Sequence, residues 1–228
     1  MGNKGNNRHI KRLAAPRYLH IGKKVKPYVV KPNSGRHTLR ASISIATVLV
    51  DKLGIAGNAK EAKRAIKSGN VEVNGRVIKD ERYPLGFADI IHLKPSKESY
   101  RIGIGIRGTV SVDKEEGKHE EQVFKVIGKF IAKGNKEKIR LHNGNILPSI
   151  KDVKVNDSVK LKDGKVSAVL KMQKGARCVI LNGIHASESG VISDIKQGTA
   201  LRAATVEIEG DGVKTETLLD NVIVVGVK

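Results

Sequence analysis

Four basic residues recur at the spacing that places side chains on one face of an α-helix. They are Lys60, Lys63, Arg64 and Lys67, at positions i, i+3, i+4 and i+7. Like charges at these spacings repel one another, so the stripe costs helix stability unless phosphates neutralise it. A solvated helix face usually mixes both signs of charge, whereas Glu61 lies off this stripe. The pattern therefore favours a helix face that binds RNA phosphates.

Residues 1–41 form a strongly basic N-terminal extension, called the arm below. Its first forty residues hold eleven basic residues and no Asp or Glu, and the first acid of the chain is Asp51. Arginine can fork to phosphate oxygens or stack on exposed bases. A solubilising tail or a localisation signal is the alternative, and an arm without any acid disfavours it. The arm residues predicted to bind RNA are Lys4, Arg8, His9, Lys11, Arg12, Arg17, Lys23, Lys24, Arg36 and Arg40.

Catalytic and metal-binding motifs do not emerge from the sequence. It contains no P-loop, GxSxG or HExxH motif, and the single Cys178 supports neither an internal disulfide nor a Cys-rich zinc site. The seven histidines, His37 among them, are scattered and fit surface or packing positions. Asp80 and Asp89 are carboxylates without an evident partner at a defined spacing. We therefore predict a binding protein that is not an enzyme, with no cofactor and no metal.

Charge and composition point to a polyanionic partner. The 228 residues carry a net charge of +20 and a pI near 10.0. No stretch approaches the roughly 18 apolar residues of a spanning helix, and the N-terminus lacks the apolar core of a signal peptide, so we expect a cytoplasmic protein. Hydrophobic residues make up 39% but aromatic residues only 3%, which predicts several small aliphatic cores.

The periodicity of residues 42–94 predicts a helix–helix–hairpin module. The segment SISIATVLVDKLG repeats apolar residues at helical spacing before a glycine. Next, Asn58 fits a helix cap, with Glu61 reaching back from three positions later. Asn74-Gly75 between VEV and RVI predicts a two-residue hairpin, and ADIIHL a further strand. The arm has no such period, so we expect it to lack a fixed structure until RNA binds.

The rest of the chain is predicted to be mostly β-structure. Short strands are expected at 100–106, 108–112, 139–141, 158–161 and 166–170. One helix is predicted at 119–132, with Val123, Val126, Ile127 and Phe130 on its buried face. The segments ARCVIL, GVISDI, ATVEIE and NVIVVGV predict a small C-terminal barrel.

Several segments, in order along nearly the whole chain, carry a family resemblance. They are MGNKGNNRHIKRLAAPR at the start, the SISI helix, EAKRAI, SGNVEVNGRVIKDERYPLGFADII, LHNG at 141–144 and VNDSV at 155–159. This series resembles the archaeal and eukaryotic small-subunit ribosomal protein S4e family. Because the chain is shorter than eukaryotic members, the resemblance points to an archaeal-type protein.

The resemblance implies an α+β, multi-domain fold in four parts. They are the arm at 1–41, an alpha-L type RNA-binding module at 42–94, a central β-rich domain at 95–172, and a KOW-type (SH3-like) β-barrel at 173–228. Carried over by position, the residues that line the RNA surface of the module are Lys63, Arg64, Asn74, Gly75 and Arg76. The KOW register at 183–190 departs from the usual pattern, and Glu188 would repel phosphate there. We therefore expect that loop not to bind RNA in the usual way.

The function predicted is that of a structural constituent of the small ribosomal subunit. Its expected partners are small-subunit ribosomal RNA and neighbouring ribosomal proteins, without a membrane or a small-molecule substrate. One rival is an RNA-modifying enzyme, such as a pseudouridine synthase, that borrowed the module; it needs a catalytic Asp domain. The other is a KOW-bearing translation or transcription factor, which would exist free of the ribosome.

Overall fold

The chain divides into two compact units. The computed structural model describes residues 7–115, 121–150, 152–162, 164–199, 201–210 and 213–227. Unit 1 comprises Met1–Gly103 with Thr109–Gly117, and unit 2 comprises Ile104–Gly108 with Lys118–Lys228. The four predicted segments, with boundaries at residues 41, 94 and 172, remain a prediction beside this two-unit division.

The arm folds onto the rest of unit 1. Its strands β1 (His9–Lys11) and β2 (Tyr28–Val30) pair antiparallel, and short 3-10 turns connect and follow them. Leu19 and Val29 are buried in the same apolar core as the module. The prediction that the arm lacks a fixed structure is therefore wrong for residues 7–41. The reason is that its few apolar residues bury against the module, a contact that the composition of the arm alone does not reveal.

Two helices follow the arm. Helix α1 begins at Ile45–Thr47 and continues as a π-helical turn over Val48–Lys52, with its apolar face buried as predicted. Helix α2 covers Ala59–Lys67, and the Asn58 side chain accepts hydrogen bonds from two backbone N–H groups of its first turn at 3.0 Å. The Glu61 carboxylate reaches back to the N–H of residue 57 rather than 58, at 2.8 Å. The predicted cap and helix are confirmed.

A five-stranded antiparallel sheet completes the module. The strands after the arm are β3 (Ile43–Ser44), β4 (Val71–Val73), β5 (Arg76–Val77), β6 (Pro84–Leu85), β7 (Ile90–Leu93), β8 (Glu98–Gly105) and β9 (Thr109–Glu115). The sheet has the order β5-β4-β7-β8-β9, and β3 pairs with β6. Asn74 and Gly75 turn the β4–β5 hairpin with φ of 49° and 75°, the left-handed backbone that a tight two-residue hairpin requires. The predicted hairpin is confirmed.

The first sheet of unit 2 contains a long strand where the sequence predicted a helix. Its strands are β10 (Gln122–Ala132), β11 (Lys136–Leu141), β12 (Ile146–Pro148), β13 (Ser158–Lys162) and β14 (Lys165–Leu170), in the order β12-β11-β10-β13-β14. The helix prediction over 119–132 is wrong for 121–132, and residues 119 and 120 lie outside the described residues. A bulge between Val126 and Gly128 shifts the strand register. This irregularity produces apolar spacings that imitate a helix, while Ile127 and Phe130 are exposed.

The second sheet of unit 2 is also antiparallel. Its strands are β15 (Ala176–Ile180), β16 (Ser189–Lys196), β17 (Thr205–Gly210), β18 (Val213–Leu218) and β19 (Val222–Val227), in the order β18-β17-β16-β15-β19. Four of these strands were predicted. Strand β18 was missed because VKTETL buries only Thr215 and has little apolar alternation. All of these strands except β18 bury apolar side chains in a small core that includes Cys178, Ile192 and Val206.

A buried lysine braces the turn that leads into β19. The ammonium group of Lys125 donates hydrogen bonds to the carbonyl oxygens of Leu219 at 2.7 Å, Asp220 at 3.1 Å and Val222 at 2.9 Å. Burial lowers the pKa of Lys125 to about 8, against the opposing charge of Asp220. The side chain thus joins the first sheet of unit 2 to the second.

Lys125→Met should lower the free energy of unfolding by about 2 kcal/mol, because three carbonyls lose their donor. The ammonium group of Lys125 loses its proton at a lower pH in the folded chain than in the unfolded chain, where its pKa has the ordinary value of 10.5. Wild-type stability should therefore rise as the pH increases from about 8 to 10.5, a gain absent from the variant. Urea unfolding across this range measures both effects. Lys129→Met, at an exposed position of the same strand, is the control; equal losses in the two variants would contradict the prediction.

Candidate nucleic-acid interface

Helix α2 presents its basic stripe to solvent. Ala62 and Ile66 are fully buried and hold the helix on the core, while Lys60, Arg64 and Lys67 are exposed on the other side. The fourth cation, Lys63, lies 2.7 Å from a carboxylate oxygen of Glu81, so its charge is partly neutralised within the protein. Of the ion pairs in the part of the chain that the structure describes, none involves Lys60, Arg64 or Lys67, so the helix offers three positive charges along about two turns.

The β4–β5 hairpin turn follows helix α2 in the chain, and its side chains are oriented differently from those of the helix. Arg76 and Gly75 are exposed. The Asn74 side chain instead faces the protein: its amide donates to Asp89 at 2.8 Å, and its carbonyl oxygen accepts from the N–H of Ile90 at 2.9 Å. Asn74 therefore orients the turn, while Gly75 and Arg76 remain exposed to solvent.

A buried polar cluster holds that turn in place. Asp89 is fully buried and accepts hydrogen bonds from His37 Nε2 at 2.8 Å and from the N–H of Gly86 at 3.0 Å, besides Asn74. Burial opposes ionisation of Asp89, but these bonds and the charge of His37 outweigh it and keep its pKa below the ordinary value. A side-chain carbon on Gly86 would lie 2.3 Å from the His37 ring, so only glycine fits there.

This cluster corrects one expectation and shows what sequence reasoning missed. Asp89 seemed to have no partner, yet it bonds to a histidine 52 positions away in the arm. The same cluster adjoins two predicted RNA-binding arginines, because Arg36 hydrogen-bonds to the Tyr83 hydroxyl and the charge of Arg76 acts on it too. Burial raises the pKa of Tyr83, against the effect of Arg36. The arm and the hairpin turn thus place cations around one tyrosine.

Most predicted arm residues lie at the surface of unit 1. The exposed ones are Arg8, His9, Lys11, Arg17, Lys23, Lys24 and Arg40, and Arg36 is half-buried. Lys4 lies outside the described residues. Because the arm and the module share one core, these side chains belong to the same unit as the α2 stripe and Arg76.

Arg12 is the exception among the arm cations. It is only 2% exposed, and its guanidinium donates three hydrogen bonds to the Asp51 carboxylate at 2.9 to 3.0 Å and one to the carbonyl of Gly22 at 3.0 Å. Arg12 thus stays a predicted RNA contact whose guanidinium already donates four hydrogen bonds within the protein. The donors that would grip a phosphate instead fasten the arm to helix α1, a role that spacing in the sequence could not reveal.

The loop at the predicted KOW register is mostly exposed, with Ala186 buried. It joins β15 to β16, and Ile184 at its tip is 88% exposed. His185 Nδ1 lies 3.0 Å from Glu188 Oε1. Within the described part of the chain, no cluster of three His, Cys, Asp or Glu residues could hold a metal ion. Nor does that part contain a helix long and apolar enough to span a membrane.

Two known domains match the segments that carry these cations. The RS4NT (NUC023) domain matches residues 4–40, and the S4 domain matches residues 45–91. The small ribosomal subunit protein eS4 of Methanosphaera stadtmanae is 33% identical over 99% of this chain and 95% of its own length. The chain belongs to the eS4 family. Its relatives include the eS4 protein of Archaeoglobus fulgidus, 33% identical over 96% of this chain and 94% of its own.

A solved structure agrees with this eS4 assignment. The crystal structure of the 30S ribosomal protein S4e from Thermoplasma acidophilum matches with a TM-score of 0.69 and 28% sequence identity. The match covers 82% of this chain and 96% of that chain. The family resemblance drawn from the sequence motifs is thereby confirmed.

Proposed function

We propose that this eS4 family member is a structural constituent of the small ribosomal subunit and binds its ribosomal RNA through unit 1. The observation that carries the proposal is the exposed basic stripe of α2, within the region that matches the S4 domain. The arm adds six exposed Lys and Arg side chains to the same unit. The relatives are named small ribosomal subunit proteins, and the proposal takes the assembly from those names.

Binding rests on phosphate neutralisation and on shape. Lys60, Arg64 and Lys67 take phosphates and release their counterions, so the affinity falls steeply with salt. Arg76 projects from a turn whose geometry the Asn74–Asp89 bond holds, and it meets RNA at a fixed position. A rigid module of this kind recognises the shape of folded RNA more than a base sequence.

We also propose a type of domain for each part of the chain. The α1–α2–hairpin region is an alpha-L type RNA-binding module, and the two sheets of unit 2 form a central domain and a KOW-type barrel. Neighbouring ribosomal proteins are its other partners, and it resides in the cytoplasm on the ribosome. The protein acts by binding alone, as a non-enzyme without a cofactor. The exposed β15–β16 loop, with its acidic Glu188, takes no phosphate.

Sedimentation of cell lysate at low and moderate salt tests this function. The protein should stay with the small-subunit fraction through a moderate salt wash, because many phosphate contacts act together. A protein found mostly in the soluble top fractions would instead be a transient factor or an RNA-modifying enzyme, and the proposal would be wrong.

Arg64→Gln should weaken binding to small-subunit ribosomal RNA and reduce the slope of log affinity against log salt by about 1, since one phosphate contact is lost. Filter binding of the full-length protein at several salt concentrations measures the slope. Lys214→Gln, an exposed substitution on β18 of unit 2, is the matched control and should keep the wild-type slope. An unchanged slope in Arg64→Gln would remove the stripe from the interface.

A further inference from the structure

The arm contains a pocket that the phosphate-binding proposal leaves unused. It has a volume of about 410 Å³ and is formed between β1, the turn after it and the segment leading into β2. Its walls include Leu13, Val25 and Tyr28 together with four lysines. Three of these, Lys11, Lys23 and Lys24, are exposed, whereas Lys26 is half-buried and donates to the Gly57 carbonyl at 3.0 Å. The volume falls in the usual range for small-ligand pockets, roughly 300–1,000 Å³.

The apolar walls are unusually open to solvent. Leu13 is 68% exposed, Val25 73% and Tyr28 51%. Large apolar side chains grouped in this way at a surface mark a binding site more often than single exposed ones do. Only seven residues of the chain are Tyr or Phe, yet one of them stands in this pocket.

Strand register fixes the direction of the tyrosine. Ile10 pairs with Val29, and these two side chains pack towards the core, whereas the pair beside them, Lys11 with Tyr28, is exposed on the outer face. The His9 ring meets the Tyr28 ring edge-on, with centroids 4.5 Å apart, which restricts the tyrosine further.

The charge around the pocket selects the occupant. Lys11, Lys23 and Lys24 are exposed, and among the ion pairs of the described residues none involves them. The nearest acid in the sequence is Asp51, which Arg12 already neutralises. A side chain of a neighbouring protein would fill the apolar floor but leave three positive charges together. A nucleotide satisfies both, because the flat π-face of its base can stack on the apolar floor while a phosphate lies on either side.

We propose that this pocket binds one unpaired base of the RNA, stacked on Tyr28, with the flanking phosphates held by Lys11, Lys23 and Lys24. The inference rests on the proposed RNA-binding function and adds the class of nucleotide recognised. A duplex would reach the lysines with its phosphates but leave the floor empty, because its bases are stacked inside the helix. The arm thus selects single-stranded RNA at this point.

The absence of tryptophan from the chain gives a clean test. Tyr28→Trp introduces a single tryptophan into the full-length protein, and a base stacked on it should quench its fluorescence. The probes are a short oligouridylate and an abasic ribose-phosphate chain with the same number of phosphates. We expect strong quenching by the oligouridylate, little by the abasic chain, and about tenfold tighter binding of the former.

Two variants complete the design. Phe130→Trp places the single tryptophan on an exposed strand position of unit 2 and should be quenched by neither probe. Tyr28→Ala should bind the abasic chain as the wild type does but lose the preference for the oligouridylate. Thermal unfolding of each variant checks that unit 1 remains folded.

The failures of the two proposals are distinguishable. Equal affinity and equal quenching with both probes, while ribosomal RNA binding keeps its salt dependence, would overturn the base pocket and leave the proposed function intact. If the emission of the Tyr28→Trp variant were unaffected by RNA but shifted to the blue in the assembled subunit, the pocket would belong to a neighbouring protein and the base pocket would likewise be overturned. Loss of the protein from the small-subunit fraction is the separate result that overturns the proposed function.

Discussion

Asp89→Ala should destabilise unit 1 by about 4 kcal/mol, because several buried donors lose their acceptor at once. These are His37 Nε2, the Gly86 N–H and the Asn74 amide. Affinity for ribosomal RNA should fall as well, since the turn that carries Arg76 is no longer held. Urea unfolding and RNA filter binding measure the two losses.

The matched control for this substitution is Asp113→Ala. Asp113 is an exposed carboxylate on β9 of the same unit, and its removal should change stability by less than about 0.5 kcal/mol. Asp89→Asn keeps the shape but turns an NH₂ group towards a donor, so its loss should lie between the other two. If Asp89→Ala unfolded at the same urea concentration as Asp113→Ala, the buried cluster around Asp89 would contribute nothing to the stability of unit 1.

Acid provides an independent measure of the same carboxylate. The pKa of Asp89 is lowered from its ordinary value of 3.8, so its ionised form favours the folded state. That contribution is complete above the unfolded pKa and is lost as the pH falls through the folded value. Wild-type stability should therefore decline below about pH 4 more steeply than that of Asp89→Asn, which cannot titrate there. Parallel acid profiles would contradict the lowered pKa.

Local signals in the sequence were enough for much of unit 1. A cap at Asn58, helical spacing and a glycine stop define α2, and Asn74-Gly75 defines the hairpin. The exposure of the α2 stripe followed from the same periodicity, because burying Ala62 and Ile66 turns the opposite face outward. These features depend on residues only a few positions apart, and for that reason they could be read from the chain.

Contacts between distant segments could not be predicted in this way. Arg12 and Asp51 are 39 positions apart, and His37 and Asp89 are 52 apart. The arm was therefore expected to be without structure, and the ion pair of Arg12 was not foreseen. The helix prediction at β10 was wrong for a related reason. The apolar spacing of this segment suits a helix, but its bulge and its pairing with two neighbouring strands determine its conformation.

Disrupting the ion pair of Arg12 and Asp51 should weaken the attachment of the arm more than the loss of any other single contact of the arm. Arg12→Met removes the cation that contacts this carboxylate and strands Asp51, whose side chain is 14% exposed. Removing one partner of a buried ion pair costs about 3 to 5 kcal/mol. We expect a loss of about 3 kcal/mol from unit 1 in urea unfolding, and faster tryptic cleavage after Lys23 or Lys24 as the arm detaches.

The double substitution separates the ion pair from the packing around it. Arg12→Met with Asp51→Leu removes both charges and should regain most of the lost stability, since no uncompensated buried charge remains. Arg17→Met is the matched control: this arginine is exposed in the same arm, so its loss should leave stability unchanged while lowering the salt dependence of RNA binding. An Arg12→Met variant as stable as Arg17→Met would show that apolar packing by residues such as Leu19 and Val29 alone attaches the arm. A double variant as unstable as Arg12→Met would show that the loss comes from the missing arginine contacts and not from the stranded charge of Asp51. Agreement with both expectations would mean that one arginine of a basic arm stabilises the fold, while its neighbours remain free for RNA.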